Sequence, residues 1–347
     1  MILTFVAPGA PYPIGGVTMI YEFAAAMADR GHEVHLFHYP VFRQSVAALE
    51  DVDWYSFPDG IDHHFPPVGF DPNTAPPSDI IFGFSSEDAM PAHLGLPVAL
   101  VQGYRMVRPP YERRTFKAPC PKICIAKWLV GVGLELGVPR NELIHVPLGL
   151  RHERYRVTRP IAGRPPRVSF CYNPHPQKGA ALALDVLETV KASTPALEVV
   201  IFGAGPPTHP IPEWMHYREN PSQDELVDEI YNGSRAFLCT SDVEGFGLPS
   251  IEAMACGAVL VTTDNGGSED YAVPGVTALV TPTGDARGLV SALEGLLGDD
   301  RRRIELATAG RDYVERFDWG RTAELLEDFL ERYLADPTAY GRPAVAG

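Results

Sequence analysis

The chain has 347 residues, 45% of them hydrophobic and 21% charged, a size at which a single core gives way to two or three domains. With 29 basic against 44 acidic side chains the net charge is −15, so its field repels polyanions and non-specific nucleic-acid binding is excluded. No run supplies the roughly 20 apolar helical residues of a membrane span. The opening MILTFVAPGAP has no basic n-region and soon turns to Gly and Pro, unlike a secretion signal, so a cytoplasmic protein is expected. Five scattered cysteines, Cys120, Cys124, Cys171, Cys239 and Cys256, read as buried thiols of a reducing compartment rather than as a disulfide framework or zinc site.

The first forty residues predict strand, helix, strand: an apolar run from Ile2 to Ala7, a Gly/Pro loop, an amphipathic helix, and a second run from Val34 to Tyr39. On the helix, Ile20, Phe23, Ala24 and Met27 form one apolar stripe, and Gly31 ends it. Strands joined through a helix run parallel. Further short runs at Val52 to Phe57, Ile80 to Phe84, Val98 to Val101, Ile123 to Ala126 and Ile144 to Val146 extend that sheet. The polar stretch RHERYRVTRPIAGRPP, residues 151–166, has no apolar periodicity and reads as an interdomain linker. The alternation then restarts with strands at Val168 to Tyr172, Leu197 to Phe202, Ala236 to Thr240, Val259 to Thr262 and Ala278 to Val280. Helices are expected at Ala180 to Lys191, Gln223 to Tyr231 and from Pro249. A last helix repeats Leu326, Phe329, Leu330 and Tyr333 at helical spacing. The expected architecture is α/β with two Rossmann-like doubly wound domains, 1–150 and 151–320, and a C-terminal helix and tail, 321–347, that packs back on the first domain. Open parallel sheets bind ligands beyond the carboxyl ends of their strands, so function is expected in a cleft between the halves.

Gly15 and Gly16, between the first strand and helix, permit close backbone approach to a ligand at a helix N-terminus, and read equally as an ordinary tight turn. Neither G-x-G-x-x-G nor the Walker phosphate loop is present there. The most informative stretch is EGFGLPSIEAMACG, residues 244–257. Pro249 suits a first helical turn, which places Glu244 on the preceding loop and Glu252 in the opening turn. Free backbone N–H groups there suit an anion such as a diphosphate, whereas two carboxylates suit the hydroxyls of a sugar. Taken alone, Glu252 also reads as an acid favourably placed near a helix start.

Glu-x7-Glu inside EGFGLPSIEAMACGAVLVTT closely resembles the group 1 (family 4) retaining glycosyltransferases of GT-B fold. The Gly15-Gly16 loop, the Gly203-Ala204-Gly205 turn, the loop from Asp264 to Glu269 and Phe317-Asp318-Trp319 are similar too. The resemblance implies that Glu244 contacts the donor sugar and Glu252 the ribose hydroxyls. The amides of Phe246, Gly247 and Leu248 would face the diphosphate, with Gly16 approaching it from the other domain. Lys178, in Asn173-Pro174-His175-Pro176-Gln177-Lys178-Gly179, matches the family's phosphate-binding lysine and would stabilise charge on the departing diphosphate. The implied donor-binding set is Gly15, Gly16, Asn173, Lys178, Gly203, Glu244, Gly245, Phe246, Gly247, Leu248 and Glu252, with Glu244 and Lys178 as its catalytic members.

Two departures stand out. Asn173 occupies the position of the arginine usually found five residues before the lysine, and Val101-Gln102-Gly103-Tyr104 stands where the family often has a histidine. From Arg105 to Lys127 seven basic residues face the lone acid Glu112. This segment reads as a solvated basic face, or as a source of Tyr104, Arg105 and Arg108 for acceptor binding, or as a contact for a membrane surface.

The implied reaction moves a hexosyl unit from a nucleoside diphosphate sugar to a hydroxyl of a saccharide or glycolipid, with retention. It uses no cofactor, no metal and no protein nucleophile. GDP-mannose is favoured as donor, followed by UDP-glucose, with dTDP-rhamnose third; base recognition is expected around His216 to Ser222. The alternatives are a GT-B nucleotide-sugar epimerase, a non-catalytic nucleotide-sugar binding protein, and a Rossmann oxidoreductase suggested by Gly203-Ala204-Gly205.

Overall fold

The computed structural model describes residues 1–40, 46–67, 75–83, 94–106 and 109–340, the side chains of 109–111 aside. The chain forms two compact units, one built from Met1–Gly149 and the chain from Trp319 onward, the other from Leu150–Asp318. The first unit runs β1 (Ile2–Pro8), α1 (Gly15–Asp29), β2 (Glu33–Tyr39), β3 (Ile61–His64), β4 (Ile80–Gly83), β5 (Leu96–Val101), α2 (Pro109–Lys117), β6 (Lys122–Cys124), α3 (Lys127–Glu135) and β7 (Leu143–His145). The second runs β8 (Arg167–Cys171), α4 (Ala180–Ser193), β9 (Glu198–Gly203), β10 (Met215–Glu219), β11 (Ala236–Cys239), α5 (Leu248–Ala255), β12 (Val259–Thr263), β13 (Ala278–Thr281), α6 (Ala286–Gly298) and α7 (Asp300–Val314). The chain then re-enters the first unit as α8 (Trp319–Ala335).

Both sheets are parallel throughout the described residues. Their strand orders are β3-β2-β1-β4-β5-β6-β7 and β10-β9-β8-β11-β12-β13. Each order grows outward one way and then reverses, at β1/β4 and at β8/β11, which is the doubly wound Rossmann pattern. Central strands covered on both faces need apolar residues at every position rather than at alternate ones. Accordingly β1 is buried from Leu3 to Pro8 and β12 along its whole length. On α1, Ile20, Phe23, Ala24 and Met27 are fully buried.

Helix α8 buries Leu326, Phe329, Leu330 and Tyr333. It is pinned within the first unit by Phe23 against Trp319, with ring centroids 5.3 Å apart, and by Thr322 donating to the Pro147 carbonyl at 2.9 Å. Glu327 additionally accepts from Arg30 and faces His32 at 2.8 Å. Among the described residues no helix is long and apolar enough to cross a membrane.

Two local expectations are corrected. The run Val52 to Phe57 is not a strand: a 3-10 turn, Leu49–Val52, precedes it, and Trp54, Tyr55 and Phe57 gather around the Tyr21 ring at centroid distances of 5.5, 5.3 and 4.8 Å. The edge strand is instead β3, Ile-Asp-His-His, whose polar composition hid it. The stretch 151–166 belongs to the second unit rather than linking two units. Arg164, 3% exposed, holds it there by donating to the carbonyls of Tyr231, Ser234, Arg159 and Cys256 and to Asn232 Oδ1. The helix expected from Gln223 to Tyr231 is present, with Glu225–Tyr231 π-helical and its wider turn ending in Asn232 N–H bonded to the Val227 carbonyl at 3.0 Å.

The edge of the first sheet carries a buried hydrogen-bonded chain. The Tyr21 hydroxyl lies 3.0 Å from His38 Nδ1, and His38 Nε2 lies 3.0 Å from His63 Nδ1. Burial, followed by His63 and His64, lowers the pKa of His38 to about 3, and burial lowers those of His63 and His64 as well. Below pH ~6.5 the unfolded chain therefore binds protons that the folded chain refuses, so stability falls as pH drops toward 3, by roughly 1.4 kcal/mol per pH unit from His38. Melting at pH 7.5 and 5.5 is expected to show a clear drop in Tm for the wild type and a smaller drop for His38→Gln. Equal drops would remove His38 as the cause.

Candidate functional site

In the second unit the sheet order reverses between β8 and β11, so the loops that leave these two strands diverge and leave an opening at their carboxyl ends. The loop after β8 carries Asn173 to Lys178; the loop after β11 carries Ser241 to Gly247. Lys178 Nζ donates to Glu244 Oε2 at 2.7 Å, with the two side chains 23% and 15% exposed. Ser241 Oγ donates to Glu244 Oε1 at 2.7 Å, so each carboxylate oxygen has its own donor. The backbone closes the same group, since Glu244 N–H donates to the Asn265 carbonyl at 3.0 Å and Asp242 N–H to the Gln177 carbonyl at 2.8 Å.

Glu252 sits one helical turn further along. It is the fifth residue of α5 rather than part of the opening turn, because the helix starts at Leu248, ahead of Pro249. The Tyr231 hydroxyl donates to Glu252 Oε2 at 2.8 Å. Burial first, then the Glu252 charge, pushes the Tyr231 phenol well up, so it stays protonated and remains a donor. Both glutamates and Lys178 act on one thiol: burial, then Glu244 and Glu252, raise the pKa of Cys171 to about 12, opposed by Lys178. The structure thus gathers the three side chains at one end of one sheet.

The three helices that follow β1, β8 and β11 start alike. Helices α1, α4 and α5 have no side-chain cap and no acid in the first turn. By contrast α6 and α7 are capped by Asp285 and Asp299. An N-terminus left without an internal acceptor keeps its N–H groups and partial positive charge for an external anion.

The loop before α5 is held from below. Tyr271, fully buried, donates to the carbonyls of Phe246 at 2.8 Å and Gly247 at 3.1 Å. The Phe246 ring, 2% exposed, packs on Tyr271 and Phe317 at centroid distances of 5.4 and 5.9 Å. Phe246 is thus an anchor by its side chain, and any ligand contact it makes is through its backbone. Gly247 adopts φ 90°, and a Cβ there would stand 2.6 Å from the Tyr271 hydroxyl. Gly245 and Leu248 flank this anchor.

Other expected residues fall in different places. Asn173 Oδ1 accepts from His175 N–H at 2.9 Å and shapes its own loop. Gly203 ends β9 beneath the Tyr217 hydroxyl, which itself donates to the Gly205 carbonyl, so the Gly203-Ala204-Gly205 turn is built around Tyr217. In the first unit, Gly15 and Gly16 open α1, and a Cβ on Gly16 would overlap the Gln102 carboxamide. Among the described residues, Gln102 Nε2 is buried without a hydrogen-bond partner. Gln102, not Tyr104, therefore lies against the glycine pair; Tyr104 packs on Phe116 with ring centroids 5.9 Å apart. Arg105 has φ 62°, and Glu112 accepts from its backbone N–H and from that of Met106. Arg108 lies outside the described residues. Lys122 is not on a solvated face: it is 1% exposed and paired with Glu142 at 2.6 Å. Among the described residues no three His, Cys, Asp or Glu side chains are grouped to hold a metal ion.

Sequence reasoning missed Ser241, Tyr231 and Tyr271. Only the position of Ser241, three residues before Glu244, offered a local signal.

Two parallel doubly wound sheets with this order define the GT-B class. The chain superposes on sucrose-phosphate synthase from Thermosynechococcus elongatus with a TM-score of 0.78 at 16% identity, covering 96% of this chain and 99% of that one. It superposes on Anabaena HepE in complex with UDP-glucose with a TM-score of 0.77 at 14% identity, covering 96% and 100%. Residues 152–313 match the family described as glycosyl transferases group 1. A GDP-mannose-dependent alpha-(1-6)-phosphatidylinositol monomannoside mannosyltransferase of Mycolicibacterium smegmatis is 29% identical over 153 residues, which span 43% of this chain and 38% of the relative. A D-inositol 3-phosphate glycosyltransferase of Corynebacterium aurimucosum is 36% identical over 104 residues, 30% of this chain and 24% of the relative. The matches thus span well under half the length of these curated relatives.

A Gly247→Ala substitution combines a left-handed backbone position with a clash against the Tyr271 hydroxyl. It is expected to destabilise the protein by about 1–3 kcal/mol, read as a lowered urea midpoint with an unchanged m-value.

Proposed function

We propose that the protein is a retaining glycosyltransferase that moves a hexosyl unit from a nucleoside diphosphate sugar to a hydroxyl of a saccharide or glycolipid. The observation that carries this reading is the Lys178–Glu244–Ser241 group at the β8/β11 reversal, beside two uncapped helix N-termini. Cleavage of a glycosyl diphosphate puts negative charge on the leaving group and positive charge on the sugar. An ammonium and helix N-termini stabilise the first, and a fixed carboxylate beside them binds sugar hydroxyls and the developing cation. Glu244, hydrogen-bonded by Lys178 and Ser241, is fixed in place. When a diphosphate enters, Lys178 exchanges one oxygen anion for another without crossing a large distance.

Lys178 and the backbone N–H groups supply the neutralisation that a metal ion would otherwise bring, so transfer is proposed to be metal-independent. GDP-mannose is the favoured donor, supported by the relatives named as GDP-mannose-dependent mannosyltransferases. UDP-glucose, bound in Anabaena HepE, is the second choice.

Incubation with GDP-mannose or UDP-glucose and a glycolipid or saccharide acceptor is expected to release nucleoside diphosphate only when the acceptor is present, at a rate unchanged by chelator. Lys178→Ala is expected to lower kcat by roughly 10²–10³, the scale of losing one group that stabilises transition-state charge. Nucleotide release with an isomerised free sugar and no acceptor product would replace transfer by epimerisation.

A further inference from the structure

The loop that carries Glu244 is tied to the end of β12. Glu244 N–H donates to the Asn265 carbonyl at 3.0 Å, and a parallel bridge pairs Glu244 with Gly266. Gly267 stands so close that a Cβ there would lie 2.7 Å from that of Glu244. Thr263 Oγ1 donates to the Ser241 carbonyl, so the residue that holds Glu244 Oε1 is itself held by the same strand end. The turn takes its shape from the Asn265 side chain, which is 3% exposed. Asn265 Oδ1 accepts from Ser268 N–H at 3.1 Å, and because a main-chain N–H can only donate, this contact fixes which end of the carboxamide is the oxygen. Asn265 Nδ2 donates to Thr262 Oγ1 at 3.1 Å, and Thr262 passes its own hydrogen to the Thr263 carbonyl at 3.1 Å. The other side of Nδ2 faces Cys239 Sγ, 3.7 Å away at the end of β11. Both ends of the carboxamide are thus occupied within the framework, and its burial keeps it from a ligand.

We propose that Asn265 is a positioning residue for glycosyl transfer: its buried carboxamide locks the turn after β12, and the main chain of that turn sets where the Glu244 carboxylate stands. This rests on the reading of Glu244 as the carboxylate that faces the donor sugar, and adds the strut that carries it. A carboxylate that stabilises a developing cation has to be placed closely, since a displacement of about 1 Å costs on the order of a hundredfold in rate. The strut joins neighbouring strand ends, reaching β11 through Cys239 and β12 through Thr262. On the far side of the turn, Asp264 N–H donates to the Thr281 carbonyl at 2.7 Å, so β13 braces it as well. An amide does this without adding a second negative charge beside Glu244, as an aspartate of the same shape would.

The test compares wild type with Asn265→Ala and with Thr262→Val, which removes the hydroxyl that accepts from Asn265, each alone and in a Glu244→Ala background. Turnover is read as nucleoside diphosphate released from GDP-mannose or UDP-glucose with the acceptor that wild type uses, and binding as the calorimetric affinity for GDP and UDP, which lack the sugar. Asn265→Ala is expected to lower kcat roughly ten- to a hundredfold and Thr262→Val roughly three- to tenfold. Affinity for GDP or UDP is expected to stay within about twofold of wild type, because the lost interaction is made only to the reacting sugar. In the Glu244→Ala background the same substitutions are expected to change kcat by less than about twofold, since a residue that acts through Glu244 then has nothing to act on. Equal losses in the two backgrounds, an unchanged kcat in Asn265→Ala, or failure of both Asn265→Ala and Thr262→Val to fold would overturn the inference and leave the site reading standing. A wild type that neither binds GDP or UDP nor transfers sugar would overturn the site reading, and this inference with it.

Discussion

In a doubly wound parallel sheet, helices cover the faces but cannot cover the carboxyl ends of the two strands at which the winding reverses. At β8 and β11 the chain leaves in opposite directions, and Lys178 and Glu244 are the charged residues that end up facing each other across that gap at 2.7 Å. An ion pair in this position is only partly screened, and each partner limits the conformations of the other. On the reading proposed above, a diphosphate would offer Lys178 a stronger counter-charge than a single carboxylate does, and Ser241, which donates to Glu244 Oε1, would keep that carboxylate hydrogen-bonded.

The precision of this group is supported by layers beneath it. Tyr271, Phe246 and Phe317 form an aromatic floor under the loop of Glu244, and Tyr271 adds two hydrogen bonds to that loop's carbonyls. Around the segment 151–166, two buried arginines act as polar staples. Arg164 binds four carbonyls and an amide oxygen, and Arg303, fully buried, bonds Asp300 and the carbonyls of Ile161 and Ala162. A buried guanidinium is stable only when most of its donors are taken, and here backbone carbonyls of an irregular segment take them. The segment behaves as part of the second unit although it lacks any hydrophobic pattern.

Much of the fold was legible because it rests on local periodicity. The apolar runs of β1, β2, β8, β9, β11 and β12 and the helical stripes of α1 and α8 announce themselves, and the alternation of strand and helix dictates parallel pairing. The misreadings have separate causes. Val52 to Phe57 looked like a strand because it is apolar and aromatic, yet Trp54, Tyr55 and Phe57 use those rings to pack on Tyr21. β3 was overlooked because an edge strand can carry His and Asp. Residues 151–166 looked like a linker because arginine hydrogen bonds leave no trace in hydrophobic spacing.

By itself the sequence determined the two doubly wound sheets, the separation of Glu244 from Glu252, and the presence of Lys178 just before a helix, because each depends on neighbours along the chain. Only the tertiary structure decided which groups complete the site. Ser241 reaches Glu244, Tyr231 reaches Glu252, and Gln102 lies against Gly16, through contacts between residues as many as 86 positions apart. A hydroxyl or carboxamide finds its partner by the path of the folded backbone, and no pattern of nearby residues specifies that path.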